Sequence, residues 1–177
     1  MPNQWYSIID DPSLEQGDIL LDCPLYSIPY THPLAEGGTV PVDIHTTDLI
    51  VVSQSCDLVE GREKVDSIVL CAIHTVEAAK NTPGHVLATR NNREHLLKYG
   101  LVGLHPLKEF ENGQLSRPIS FISFGQISAL PIHYVRDFAR SKGSRLRLNT
   151  PFREHMAQRF AYFFGRIGLP EVLTLTS

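Results

Sequence analysis

Leu49-Ile50-Val51-Val52-Ser53 and Ser67-Ile68-Val69-Leu70-Cys71-Ala72-Ile73 decide the fold class. Each is a short run of apolar, largely β-branched residues, and Gln54 to Lys64, which follows the first, is polar and holds Gly61. Such runs read as strands buried on both faces of a sheet, because a half-buried strand would alternate and a helix would run longer. The 13 residues between them are more than a hairpin turn needs. A loop of that length on a strand end is a place where function resides. The two runs alone leave open whether the strands lie parallel or antiparallel.

Outward from this pair, Gln16 to Leu21 reads as a turn entering a first strand, after an N-terminal arm (residues 1–16) that carries Trp5, Tyr6 and the Asp10-Asp11-Pro12-Ser13 turn. Cys23 to Tyr30 holds two prolines, which confines it to an edge strand or extended loop. Glu36-Gly37-Gly38 is a loop tip, and Val40 to Ile44 reads as a separate short strand. Downstream, Thr75 to Asn81 and Asn92 to Tyr99 read as short helices, the second stopped by Gly100. Gly103 to Phe110 and Ile119 to Phe124 read as strands around Asn112-Gly113, a strong hairpin signal, with Gly125 loosening the end of the second.

Two helices should close the chain. Pro131 suits the first turn of one that runs to about Ser141. Thr150 is placed to cap a second, with Pro151 at its first position. Phe152, Met156, Phe160, Phe163 and Ile167 fall on one stripe of that helix, which reads as core packing, and Gly165, Gly168 and Pro170 end it. The sum is an α+β chain: a small curved β-barrel body over residues 1–130 with inserted short helices, and a helical segment over 131–177 that ends in an amphipathic helix packed on the body, all in one domain.

Composition fits this. The chain has 177 residues, 42% apolar and 20% charged, which excludes a disordered or collagen-like chain. At this length roughly 70% of the surface of the unfolded chain is buried on folding, enough for a core without a metal or disulfide staple. Three cysteines, Cys23, Cys56 and Cys71, make no disulfide framework. No leader pattern and no long apolar run is visible, so the expectation is a cytoplasmic protein without a membrane association. Charge is uneven: residues 1–135 hold 8 Lys/Arg against 16 Asp/Glu, and residues 136–177 hold 8 against 3. A basic tail of this kind meets either a polyanion, an acidic partner or the acidic body itself. Arg145, Arg147 and Arg153 are its candidate contacts.

Ser53-Gln54-Ser55-Cys56-Asp57 stands where a buried strand opens into the long loop. Cys56 is a nucleophile if a base lowers its pKa, and His45 and His74 are the bases nearest the strand ends. Parallel strands would put Cys56 and His74 at one end; antiparallel strands would separate them. The plainer reading is that Ser55 and Asp57 tie down the loop through backbone hydrogen bonds around a small buried Cys. Cys71 and His74 also have a Cys-x-x-His spacing that Cys56 and His45 would complete as a zinc site, although structural zinc sites usually show two tight pairs. His85, His95, His105, His133 and His155 form no motif and read as surface or packing residues. No glycine-rich phosphate loop follows a strand.

Three segments together resemble the MazF/PemK toxin family: Gln16-Gly17-Asp18-Ile19-Leu20 its N-terminal strand, Leu49 to Ser53 with Ile68 to Ile73 its second and third strands, and Phe124-Gly125-Gln126-Ile127-Ser128-Ala129-Leu130 its late strand. The resemblance covers about a quarter of the chain. It implies a small curved barrel, a homodimer, and cleavage of single-stranded RNA without a metal. Where the family has Arg-Pro before the Val-Val-x-Ser strand, with the Arg catalytic, this chain has Thr47-Asp48; where the family has Thr after the third strand, it has His74, with Thr75 next. The functional expectation is therefore a toxin-fold binding or regulatory module that engages a protein partner or single-stranded RNA through Ser53, Gln54, Asp57, His45 and the basic residues, with no cofactor and no metal. The alternatives are an RNA-cleaving toxin that uses His74 as base or acid with Cys56 or Ser53 as polar support, and a zinc-stabilised structural domain.

Overall fold

A computed structural model describes residues 4–27 and 42–165. The strands are β1 (Tyr6–Ile9), β2 (Ile19–Ser27), β3 (Asp43–Val51), β4 (Ser67–Thr75), β5 (Leu104–Leu107), β6 (Phe110–Glu111), β7 (Ser116–Arg117), β8 (Ser120–Pro131) and β9 (Arg145–Leu148). The helices are α1 (Val76–Lys80), α2 (Arg90–Leu97), α3 (Ile132–Lys142) and α4 (Phe152–Phe164). The fold is mixed α+β. Five strands form an antiparallel sheet in the order β2-β3-β4-β8-β5, while β1 pairs with β9 and β6 with β7.

The two deciding runs are neighbours at the centre of this sheet, on β3 and β4. Period-two alternation sends Leu49, Val51, Ile68, Leu70 and Ala72 to one face and Ile50, Val52, Cys71 and Ile73 to the other. Helix α3 covers the first face with Ile132, Val135 and Ala139. The second face is covered by Tyr6 of β1, Leu146 and Leu148 of β9, and Met156 of α4, with Phe152, Phe160 and Phe163 at its margin. Burial on both faces is why these runs lack polar alternation.

Several expectations change. Among the described residues the sheet does not close into a barrel; β2 and β5 are its edges, and a separate β1–β9 ladder lies over one face. The N-terminal arm is no loose arm: Tyr6 is buried, and Tyr6 to Ile9 pair with Leu148 to Arg145. The segment after residue 130 is not purely helical, because β9 lies between its helices with all four residues buried. Its arginines disguised it as a solvated stretch. Residues 43–51 form one strand rather than two. β8 continues through Gly125 because Cys71 pairs with Ile127 and Ala72 with Ser123, so residues 124–126 are accommodated as a bulge. Thr150 does not cap α4; its hydroxyl donates to Glu154 Oε1 at 2.9 Å, and Pro151 stands just before the helix. The edge-strand reading of Cys23 to Tyr30 holds over Cys23 to Ser27. Residues 28–30, the 36–38 loop tip, Val40, Pro41, Arg166, Ile167, Gly168 and Pro170 lie outside the described residues.

Gly17 and Asp18 join the two sheets. Gly17 N donates to Val51 O (2.9 Å), Val51 N to Asp18 O (2.9 Å), and Leu148 N to Gly17 O (3.0 Å). Gly17 has φ +88°, and a Cβ there would stand 3.2 Å from Leu148 Cβ. A side chain would be both strained and crowded. The Asp18 carboxylate is fully buried and accepts four hydrogen bonds: from Arg145 Nε (2.9 Å), Arg147 Nη2 (2.9 Å), Arg147 Nε and the Glu15 amide (3.1 Å). Arg147 also pairs with Glu15 at 2.8 Å, and both arginines donate to Ser13 O. Burial alone would lower the Arg147 guanidinium, but the hydrogen bonds and charge of Asp18 outweigh it and hold it above its ordinary value.

Removing one partner of such a network strands a buried charge, which typically costs about 3–5 kcal/mol. Asp18→Asn should lose about that much in urea denaturation, whereas Glu15→Gln, at the half-exposed rim, should lose about 0–1 kcal/mol. Equal losses in the two variants would show that the arginines rehydrate when Asp18 is neutralised.

Candidate functional site

The Ser53–Asp57 segment leaves β3 and docks against the N-terminal loop. Val69 N donates to Ser53 Oγ (2.9 Å), Gln16 N to Ser55 Oγ (3.1 Å) and Gln16 Nε2 to Val52 O (2.7 Å). Residues 55–57 make a single 3-10 turn, and Asp57 pairs with Lys64 at 3.4 Å. Ser55 thus ties down the loop as the plainer reading expected; Ser53 does so as well, whereas the Asp57 carboxylate pairs with Lys64. Cys56, however, is exposed rather than buried. Its thiol lies 3.5 Å from Asp57 Oδ1 and 3.7 Å from Gln54 Oε1. Burial raises the Cys23 thiol to about 11 and the Cys71 thiol to about 12, so both are held as inert thiols.

Because β3 and β4 are antiparallel, with Asp48 opposite Ile73 and Val51 opposite Leu70, Cys56 and His74 lie at opposite ends of the strand pair. The Cys56–His74 dyad is not formed. His45 is exposed on β3 opposite Leu25, far along the strand from Cys56. Among the described residues no three His, Cys, Asp or Glu side chains gather to hold a metal ion, so Cys71, His74, Cys56 and His45 do not assemble the zinc set. The basic residues are also spent internally. Arg145 and Arg147 are buried on Asp18, Arg153 pairs with Glu15 (3.5 Å) and Glu154 (3.1 Å), and Arg136 is buried on Glu63 with Leu58 O.

Two clefts remain. The first, of about 670 Å³, separates the Asp11–Glu15 loop from Ser55, Cys56 and Leu58 to Glu60. Its apolar lining is Pro12, Leu14, Leu58 and Val59, of which Leu14 and Leu58 are buried and Val59 is exposed. Its charged lining is Asp11, Glu15, Glu60 and Arg136. The second, of about 220 Å³, holds His74, His85, Thr82, Ser123 and Gln126 around Phe121. His74 and His85 flank the Phe121 ring at 5.7 and 5.8 Å between centroids. The His74 ring bonds to Gln126 Oε1, from the β8 bulge, so His74 Nε2 carries the proton. His85 Nδ1 accepts from Leu87 N (3.0 Å), which leaves its proton on Nε2. His85 and Gln126 had no sequence signal; the β8 bulge and the turn after α1 bring them to His74.

His105 lies apart, on β5 beneath α4. It is fully buried and neither ring nitrogen has a hydrogen-bond partner among the described residues. Its neighbours are Tyr99 (5.4 Å), His155 (5.3 Å) and Phe124 (6.2 Å) between ring centroids, with Arg159 stacked over Tyr99. Burial first, then the charges of His155 and Arg159, lowers its pKa from 6.5 to about 3. The folded protein therefore keeps His105 neutral where the unfolded chain protonates it. Stability is fully present above pH 6.5 and is lost as pH falls from 6.5 toward 3. Denaturation midpoints should drop more between pH 7 and pH 5 in the wild type than in His105→Phe, and equal drops would assign the acid sensitivity to other groups.

No family model matches the chain, and no curated protein matches it.

Proposed function

We infer that the protein is a binding module that takes a protein segment, an apolar side chain with a basic residue beside it, into the cleft between the Asp11–Glu15 loop and the Ser55–Glu60 loop. The single observation behind this reading is that cleft: a recess of about 670 Å³ walled by the loop that leaves β3. Its volume is of the size that binding sites use. Apolar Leu14, Leu58 and Val59 offer an anchor site, and three carboxylates against one buried, already paired arginine disfavour a polyanion. RNA is the weaker partner for the same reason, since Arg145 and Arg147 are committed to Asp18. Of the residues expected to bind, Gln54 and Asp57 flank the exposed thiol on the cleft wall, and Ser53 holds their loop.

Peptides selected from a random library on the immobilised protein should carry a Lys or Arg next to an apolar residue. Their binding should slow thiol modification of Cys56 by about tenfold, as expected at saturation of a site that covers it, and should be lost in Val59→Glu and Glu60→Lys. Selected peptides that bind both variants equally, or leave Cys56 modification unchanged, would remove this cleft as the site.

A second reading, RNA cleavage in the toxin manner, draws on the two histidines that share the smaller cleft. One imidazole, in its free-base form, would take the proton of the 2′-hydroxyl as that oxygen attacks phosphorus, and the other, as an imidazolium, would give its proton to the departing 5′-oxygen, leaving a cyclic phosphate. Induction of the wild type in a bacterial host should then fragment total RNA, and His74→Ala or His85→Ala should prevent it. Intact RNA on induction of the wild type would end this reading.

A further inference from the structure

β7 carries Arg117 into the interior beside β3. The residue is 3% exposed, yet it makes one ion pair, from Nη1 to Asp48 Oδ2 at 3.2 Å, and its Nε has no partner among the described residues. Asp48 is itself divided, since its other oxygen accepts from Asp22 N at 3.0 Å. Burial pulls the Arg117 guanidinium below its ordinary value against the pull of Asp48 and Tyr6. A buried guanidinium with an unused N–H is costly, and such sites are completed by a ligand or by water.

Arg117 lines a recess of about 180 Å³ at the junction of β2, β7 and β9. Ile19, Leu21, Leu115 and Leu146 make its walls apolar. Lys142, at the end of α3, stands in the same lining; its ammonium lies 5.2 Å from the centre of the Phe138 ring and pairs with no carboxylate among the described residues. Arg145 also borders the recess, with its charge used by Asp18. The only acidic residue in the lining, Asp22, is solvent-exposed. The lining thus brings together a buried arginine whose Nε has no partner among the described residues, a lysine without a carboxylate partner among them, and hydrocarbon walls.

We propose that this recess is a binding site for a small apolar carboxylate, its hydrocarbon part among Ile19, Leu21, Leu115 and Leu146 and its carboxylate between Arg117 and Lys142. A cavity of about 150 Å³ holds one benzene ring, so the ligand is a benzoate or a short alkanoate rather than a long-chain fatty acid. The carboxylate matches the fork of a guanidinium, and a planar donor pair selects it over a spherical anion. The site is separate from the Cys56 cleft and shares none of its lining residues.

The test is titration of the full chain, followed by amide NMR and calorimetry, with four probes: benzoate, hexanoate, benzyl alcohol and inorganic phosphate. Benzoate or hexanoate should bind about tenfold or more tighter than benzyl alcohol, the scale of one charge-assisted hydrogen bond, and shift the amides of β7 and of residues 19–22. Lys142→Gln, an exposed change that keeps the fold, should weaken the acid several-fold and leave the alcohol unchanged. Arg117→Met should abolish the preference for the acid, with near-ultraviolet circular dichroism as the check on folding; if it unfolds, the acid-to-alcohol ratio in the wild type and in Lys142→Gln decides. Equal binding of acid and alcohol, phosphate binding as tight as benzoate, or no binding by any probe would overturn the proposal.

Discussion

A buried carboxylate between two buried arginines holds this molecule together. Asp18 stands where the β1–β9 ladder is bridged to the five-stranded sheet, and the two guanidiniums of β9 converge on it. Charges this deep are stable only when every lone pair and proton is used. Here the carboxylate has four donors, and the arginines pass their remaining protons to Ser13 O, Asp11 O and Glu15. The network therefore fixes more than two strands. It fixes the Asp11–Glu15 loop, which has little apolar content of its own beyond Leu14.

The charge asymmetry of the sequence takes its meaning from this arrangement. The C-terminal third is basic because it is the complement of an acidic first half within one chain. Arg136 reaches Glu63, Arg140 reaches Glu60, and Arg145 and Arg147 reach Asp18 and Glu15. Each pair spans more than seventy residues of sequence, so the attraction is tertiary and no local pattern announces it. Among the described residues, self-neutralisation thus uses Arg136, Arg140, Arg145, Arg147 and Arg153 of the basic segment.

What the sequence made legible was hydrophobic pattern. The β3 and β4 runs, the Thr75 start of α1 and the apolar stripe of α4 through Phe152, Met156 and Phe160 are local signals, and local signals carry over when burial rewards them. The second helix, expected to run to Tyr99 with Gly100 as its stop, ends at Leu97, with Tyr99 at φ 58°. Strand β9 was illegible for the opposite reason. Arg-Leu-Arg-Leu alternates as a half-polar strand should, but its polar face is buried on a carboxylate from residue 18. Strand direction was likewise undecidable from runs without alternation, and with it went the choice between a Cys56–His74 dyad and two separate sites. The antiparallel register divides the chemistry: the thiol goes to one end of the sheet and the histidine to the other, where the β8 bulge supplies Gln126.

The Asp18 seam also explains why the cleft and the recess occur where they do. A sheet interior has no room for either, because side chains from both faces interdigitate at close packing. At the seam, two sheets join through a glycine and a bridge of ion pairs rather than through a continuous ladder. On one side the Asp11–Glu15 loop, tied to the arginine ends, and the Ser55–Glu60 loop form the walls of the wide cleft. On the other, residues 19–22 bulge as Asp22 takes a positive φ of 52°, and the β6–β7 hairpin lies over the gap with Arg117 beneath it. Ionic joints need space for long side chains and leave space beside them. Both recesses are consequences of closing the fold with charge where an apolar closure would have filled them.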